Sequence, residues 1–256
     1  MTALPEGSPY PLATPFPQDV GTPALELRDV MAGYDRVAVL RGVSLVVPAS
    51  KVVALLGPNG AGKTTTLRVA SGRLRVASGT VQVDGEDVSK KSPDQLARAG
   101  VCSVPEGRGV FPSLTVTENL RMWTYRGGVR RSEVEEAAFT RFPRLAERRK
   151  QLAGTLSGGE QQMLAMSRAL STNPKLLLLD EISMGLAPII VSQLYELVGQ
   201  IAAEGFAILV VEQFAQTALG VADWAAVMTQ GRIEMQGTPD EVGGAVADIY
   251  MRNQQG

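Results

Sequence analysis

The sequence predicts an α/β fold with a parallel-sheet core, an antiparallel β subdomain and an inserted α-helical subdomain. Three observations predict it. The apolar run Val52-Val53-Ala54-Leu55-Leu56 leads into Gly57-Pro58-Asn59-Gly60-Ala61-Gly62-Lys63-Thr64-Thr65, which reads as strand, glycine-rich loop and helix. Two later apolar runs, Leu176 to Leu179 and Phe206 to Val211, end in Asp180-Glu181 and Glu212-Gln213, as strands buried on both faces of a parallel sheet do. Between the loop and the first of these runs, residues from about Thr117 to Gly154 read as helices with basic and acidic faces.

The chain has 256 residues, 45% of them hydrophobic and 20% charged, an ordinary globular composition. A formal net charge of −1 supplies no electrostatic footprint for nucleic acid or anionic lipid. No apolar run approaches the length of a membrane span, so any membrane role must come through a partner. A single cysteine, Cys102, can close no internal disulfide, which fits a reducing compartment. Met1 to Pro23 carries prolines at 5, 9, 11, 15, 17 and 23, lacks the basic-then-apolar order of a secretory signal, and reads as an extended or disordered tail. Residues 24–256 then form one domain, with the helical part at about 110–160.

From Ala24 onward Leu25, Leu27 and Val30 are apolar in near alternation until Gly33-Tyr34 makes a turn. Val37 to Leu40 and Val43 to Val47 read as two more short strands of a small sheet beside the loop. Tyr34 stands where an exposed aromatic could stack on an adenine ring; alone, it is an ordinary strand-end tyrosine. In the loop of Gly57, Pro58, Asn59, Gly60, Ala61, Gly62, Lys63, Thr64 and Thr65, the glycines free the backbone so that successive N–H groups, Pro58 having none, can converge on a β-phosphate. The helix starting near Gly62 and ending near Gly72 adds its positive end. Lys63 offers a point charge to the β- and γ-phosphates, and the Thr64 hydroxyl suits Mg²⁺.

Gly79 to Gly85 reads as a strand between glycine turns, and Val101 to Val104 as a short buried strand leading into Pro105-Glu106-Gly107-Arg108-Gly109. That run is by itself a loop, but strand order could bring it beside the phosphates. Ser132 and Glu135 fit a capping box, and Arg144, Arg148, Arg149 and Lys150 form either a solvated helix face or a surface for an acidic partner. Leu156-Ser157-Gly158-Gly159-Glu160 opens a helix that runs to Asn173-Pro174; its hydroxyl and bare amides suit a second anion, although the same residues make an ordinary N-cap. At the end of the next strand Asp180 is placed to hold Mg²⁺ through water, and Glu181 to orient or deprotonate an attacking water. Pro188 to Glu204 reads as an amphipathic helix with Ile190, Leu194, Leu197, Val198 and Ile201 on one face. Ala225 to Met228 and Ile233 to Met235 read as a closing hairpin around Gln230-Gly231-Arg232.

Taken in this order and spacing, the glycine-rich loop, Leu156-Ser157-Gly158-Gly159-Glu160 and Asp180-Glu181 resemble the ATP-binding cassette (ABC) ATPases over nearly the whole chain after residue 24. The resemblance implies a RecA-like P-loop core, ATP and Mg²⁺ as ligands, and a head-to-tail dimer. ATP would lie between the P-loop of one subunit and Ser157, Gly158, Gly159 and Glu160 of the other. Within the family the chain is most similar to LivF-type subunits of branched-chain amino acid importers. The residues that carry this are Val104-Pro105-Glu106-Gly107-Arg108, Phe142-Pro143-Arg144-Leu145, Gly185-Leu186-Ala187-Pro188-Ile189-Ile190 and Val211-Glu212-Gln213. Such importers pair the subunit with a second ATPase at the cytoplasmic face of the membrane, two membrane permease subunits and an external solute-binding protein.

Other readings are urea or another amino acid or amide as solute, a homodimer in place of the heterodimer, and a regulatory subunit with weak hydrolysis. Soluble repair or translation members fit less well: the stretch from Thr64 to Ser157 is too short for a long coiled coil, and only one cassette is present.

Three positions depart from the general family pattern. Glu106 stands where a glutamine usually contacts the metal and the attacking water, and adds negative charge near the γ-phosphate. Gln213 stands at the switch histidine; it can donate an N–H but carries no proton. Ile182 replaces a proline and should loosen the turn after Glu181. The first two imply that, in a heterodimer, the site on this chain's P-loop turns over more slowly than its partner's.

Overall fold

A computed structural model of the chain describes residues 21–35, 37–107, 109–122 and 130–252, the last by its backbone alone. The expected tail over 1–23 lies almost wholly outside the described residues, as does Arg108.

The first strands are β1 (Leu25–Tyr34), β2 (Val37–Val47) and β3 (Val52–Leu56), followed by helix α1 (Lys63–Ala70). Next come β4 (Ser78–Val83), β5 (Glu86–Asp87), α2 (Pro93–Arg98) and β6 (Val101–Val104). Strands β2, β1, β4 and β5 form one antiparallel sheet in that order. The sequence pattern divides β2 into two short strands, but it is continuous. Gly42, at φ +83, absorbs a register shift against β1 that would otherwise end the ladder.

Helices α3 (Val116–Arg121), α4 (Arg131–Arg141) and α5 (Pro143–Glu147) occupy the helical stretch, and α6 (Gly158–Leu170) follows them. The expected Ser132–Glu135 capping box does not form. The extended residue before α4 is Arg130, whose amide donates to Glu133 at 3.4 Å, while Glu135 pairs with Arg121 at 2.7 Å. A box needs its hydroxyl on the last extended residue, and Ser132 already lies inside the helix.

After α6 come β7 (Leu176–Asp180), α7 (Pro188–Ala203), β8 (Ala207–Glu212) and α8 (Ala215–Leu219). The hairpin β9 (Trp224–Thr229) and β10 (Arg232–Gly237) precedes α9 (Pro239–Arg252). The second sheet has the order β10-β9-β3-β8-β7-β6 and is parallel except for the hairpin strand β10.

Alternation along its strands divides the core into two layers. Val52, Ala54, Leu56, Leu177, Leu179, Ile208 and Val210 pack under the helices. Val53, Leu55, Leu176, Leu178, Leu209 and Val211 pack against α1 and the antiparallel sheet. Each strand is therefore apolar on both sides, which is why these runs show no period-2 pattern. On α7 the buried stripe is Leu194, Tyr195, Val198 and Ile201, whereas Ile190 and Leu197 are only half-buried.

The hairpin turn ties both sheets to the glycine-rich loop. Gly231 donates its amide to Ala61 O and accepts from Arg41 N, both at 2.8 Å. Its φ is +80, and an added Cβ would lie 1.8 Å from the Val39 carbonyl oxygen. Gly231→Ala is expected to lower unfolding free energy by roughly 3 kcal/mol, combining a strained backbone with a backbone clash. An unchanged urea midpoint would show that the turn moves away freely.

Candidate functional site

The carboxyl ends of β3, β6 and β7 bring Lys63, Thr64, Glu106, Asp180 and Glu181 together, as expected for a parallel sheet whose loops leave at one edge. Gly62 caps α1 at φ +111, and no side chain caps that helix, so its first-turn amides are left to a ligand or solvent. An open cleft of about 530 Å³ is lined by Val39, Asn59, Gly60, Gly62, Lys63, Thr64, Thr65, Glu106, Glu181 and Met184. A second cavity of about 200 Å³ adjoins Thr64 and Glu106 and reaches Asp180, Arg68 and Arg73.

The Lys63 ammonium donates to Gly57 O at 2.9 Å and Pro58 O at 3.2 Å, and lies 3.4 Å from Glu181 Oε1. The Thr64 hydroxyl donates to Asp180 Oδ1 at 3.3 Å. Among the described residues no three His, Cys, Asp or Glu side chains gather as a metal site by themselves. Thr64, Asp180 and Glu106 nevertheless offer hard oxygen donors around one cavity, which suits an ion that keeps waters and shares its shell with phosphates. The charge there also favours a cation: burial pushes the Asp180 carboxyl up to about 6, Glu181 and Glu106 add to the rise, and Thr64 and Lys63 oppose it.

That shift has a testable sign. The folded value lies above the ordinary carboxylate value near 4, so ionised Asp180 destabilises the metal-free fold, with the cost absent below pH ~4 and complete above pH ~6. Asp180→Asn, with chelator and without nucleotide, is expected to match the parent at pH ~4 and exceed it by about 2 kcal/mol at pH ~7.5. Urea unfolding at both pH values checks this; equal differences would refute it.

Glu181 sits in the left-handed region at φ +44, its amide donating to Val211 O at 3.0 Å. Ile182, expected to loosen this turn, is 2% exposed and packed in the core on the helix side of the sheet, which ties the turn to the core. Gln213 follows β8; its carbonyl accepts from the Tyr250 hydroxyl at 3.3 Å, and it is not among the residues lining the cleft. Tyr34 is also absent from that lining. Its hydroxyl accepts from Arg68 at 2.8 Å and lies 3.5 Å from Thr65 Oγ1, which places the ring beside α1.

Ser157, Gly158, Gly159 and Glu160 form the start of α6 and do not line this cleft. Ser157 is exposed, and its capping box with Glu160 is complete: the carboxylate accepts from Ser157 N at 2.9 Å and Oγ at 2.8 Å. The other Glu160 oxygen accepts from Arg148 at 2.6 Å. Burial pushes the Glu160 carboxyl up, but the hydrogen bonds from Arg148 and Ser157 outweigh it, and the group titrates below the usual carboxylate range. Glu160 thus acts locally on Ser157. Arg148 leaves the expected basic cluster for this pair, and Arg149 lies over the Phe139 ring at 4.3 Å, so the cluster is partly a packing device. The S-x-x-E pattern was the available signal for the box; nothing in the sequence announced Arg148 as the partner of Glu160, or Val39 and Met184 as lining of the cleft.

Residues 40–183 match the family model described as ABC transporter. The chain belongs to the ABC transporter family. It is 45% identical over 84% of its length to the high-affinity branched-chain amino acid transport ATP-binding protein BraG of Pseudomonas aeruginosa, covering 92% of that protein. It is 36% identical to the probable branched-chain amino acid transport ATP-binding protein LivF of Archaeoglobus fulgidus, with 82% of this chain and 90% of that one covered. Its fold superposes on the crystal structure of the ADP conformation of MJ1267, an ATP-binding cassette of an ABC transporter. The TM-score is 0.81 at 27% identity, with 91% of this chain and 99% of that one covered.

The chain is therefore a nucleotide-binding cassette ATPase. ABC ATP-binding subunits dimerise and work with membrane permease subunits. No helix among the described residues of this cassette is long and apolar enough to cross a membrane.

Proposed function

We propose that this cassette hydrolyses ATP to energise the import of branched-chain amino acids, as one of two unlike ATPase subunits at the cytoplasmic face of a membrane permease. The observation that carries the solute class is the 45% identity to BraG across 84% of this chain. The alternatives of urea or another amide, and of a weakly hydrolysing regulator, have no comparable support.

In the proposed chemistry, Lys63 and the loop amides of residues 57–65 hold the β- and γ-phosphates. Thr64, Asp180 and Glu106 would hold Mg²⁺, which neutralises phosphate charge when bound. Glu181 orients the attacking water and takes its proton. Tyr34 would stack on the adenine ring, and Gln213 would donate an N–H toward the γ-phosphate. Ser157, Gly158 and Gly159, with Glu160 holding Ser157, present a hydroxyl and free amides to the nucleotide of the partner subunit.

The test is reconstitution of the complex in vesicles with MgATP. Labelled leucine, isoleucine and valine should be taken up in an ATP-dependent way, and unlabelled urea should not compete. Uptake of urea with none of the three amino acids would overturn the assignment of solute.

A further inference from the structure

We propose that Glu212 is a positioning residue for ATP hydrolysis, fixing through Ser183 and Tyr195 the strained turn that carries Glu181. This rests on the reading of Glu181 as the residue that activates water.

Glu212 ends β8 and is 2% exposed, an expensive place for a carboxylate. Both its oxygens are engaged by neutral donors: Oε1 accepts from Ser183 N at 3.1 Å and Tyr195 OH at 2.5 Å, and Oε2 accepts from Ser183 Oγ at 2.9 Å. Burial pushes its carboxyl upward despite these bonds. None of the steps assigned to the nucleotide site uses it.

What the group does is mechanical. The end of β8 grips the turn after β7 at two points, through Val211 O on the Glu181 amide at 3.0 Å and through the Glu212 carboxylate on Ser183. Between those points Glu181 is held at φ +44, a conformation that a residue with a side chain keeps only where its surroundings over-determine it. The side chain so presented lies 3.4 Å from Lys63 Nζ, inside the cleft. Tyr195, fully buried on α7, braces Glu212 from behind. Without the second grip the backbone can relax toward ordinary φ values and carry Glu181 away from the line of attack. A displacement of ~1 Å at a reacting group costs on the order of a hundredfold in rate.

The geometry also explains which replacement should serve. Glutamine keeps Oε1 as acceptor for Ser183 N and Tyr195, and its amide can donate to Ser183 Oγ. Alanine keeps none of these bonds.

The experiment measures kcat and KM for MgATP in the full chain assembled with its partner cassette. Glu212→Ala should lower kcat about 30-fold with KM within about twofold, because the phosphate grip is untouched. Glu212→Gln should recover most of that loss. On a Glu181→Gln background, Glu212→Ala should cost nothing more, since its effect passes through Glu181. An unchanged kcat, a loss confined to KM, equal defects for alanine and glutamine, or a full additional loss on the Glu181→Gln background would each overturn the proposal. Should Glu212→Ala not fold, Tyr195→Phe and Ser183→Ala, each removing one donor, should lower kcat by several-fold at constant KM. Wild-type kcat in both overturns it. Parent-like turnover in Glu181→Gln alone would instead remove the reading of Glu181 itself, an outcome distinct from a silent Glu212→Ala.

Discussion

Glu181→Gln is expected to lower ATP turnover about 10²- to 10³-fold while leaving ATP bound as tightly as before or tighter. The two effects separate because the carboxylate has two neighbours of opposite meaning. Toward the cleft it is, in the proposed chemistry, the base for the attacking water, and an amide of the same shape orients water but accepts no proton. Toward the loop it lies 3.4 Å from Lys63, so its negative charge competes with the phosphates for that ammonium. Removing the charge frees Lys63 and relieves repulsion of the γ-phosphate. It also removes one of the charges that raise the Asp180 carboxyl, which makes the site a better holder for a metal-bound nucleotide. Rapid-quench measurement of phosphate release, beside nucleotide binding at equilibrium, resolves both. Loss of binding with normal turnover of what binds would assign Glu181 to ATP retention rather than to water activation.

Much of this site was legible because its signals are local. A five-residue apolar strand running into glycines and Lys63-Thr64 is recognisable from adjacent residues alone, although it pairs with the distant β8 and β9, and the α6 start likewise contains its own cap. The buried strands β7 and β8 were legible from their continuous apolar character, and the β9–β10 hairpin from Gln230-Gly231. What stayed hidden depends on partners far along the chain. Glu212 reads as the polar end of a strand until Ser183, 29 residues earlier, and Tyr195, 17 earlier, are seen to enclose it. Arg148 reads as one of several basic residues until Glu160 is seen to hold it. The capping box was misassigned by two residues because Ser132 and Glu135 have the right spacing, and spacing alone does not say where the extended backbone ends. The two-residue strand β5 and the short helices α2 and α8 fall below the length at which periodicity speaks.

Lys63→Ala is expected to weaken ATP binding at this chain's P-loop about a hundredfold and to abolish hydrolysis there, while the fold survives. The side chain is 4% exposed and donates to the Gly57 and Pro58 carbonyls, but Lys63 and its neighbour Glu181 both line the open cleft, which water can enter. The loss is therefore one of ligand recognition, and the thermal midpoint without nucleotide should move little. The same variant weighs this site against the partner's in the proposed heterodimer. Glu106 lines the cleft and in that proposal adds negative charge near the γ-phosphate, whereas Gln213 stands outside the lining and carries no proton. Both features are expected, in that proposal, to slow this site relative to one built with a neutral amide and a histidine at those positions. Transport by a complex with Lys63→Ala should therefore fall less than transport by one carrying the matching change in the partner. Equal losses would mean that the two sites fire in obligate sequence, and that Glu106 and Gln213 set no difference in rate.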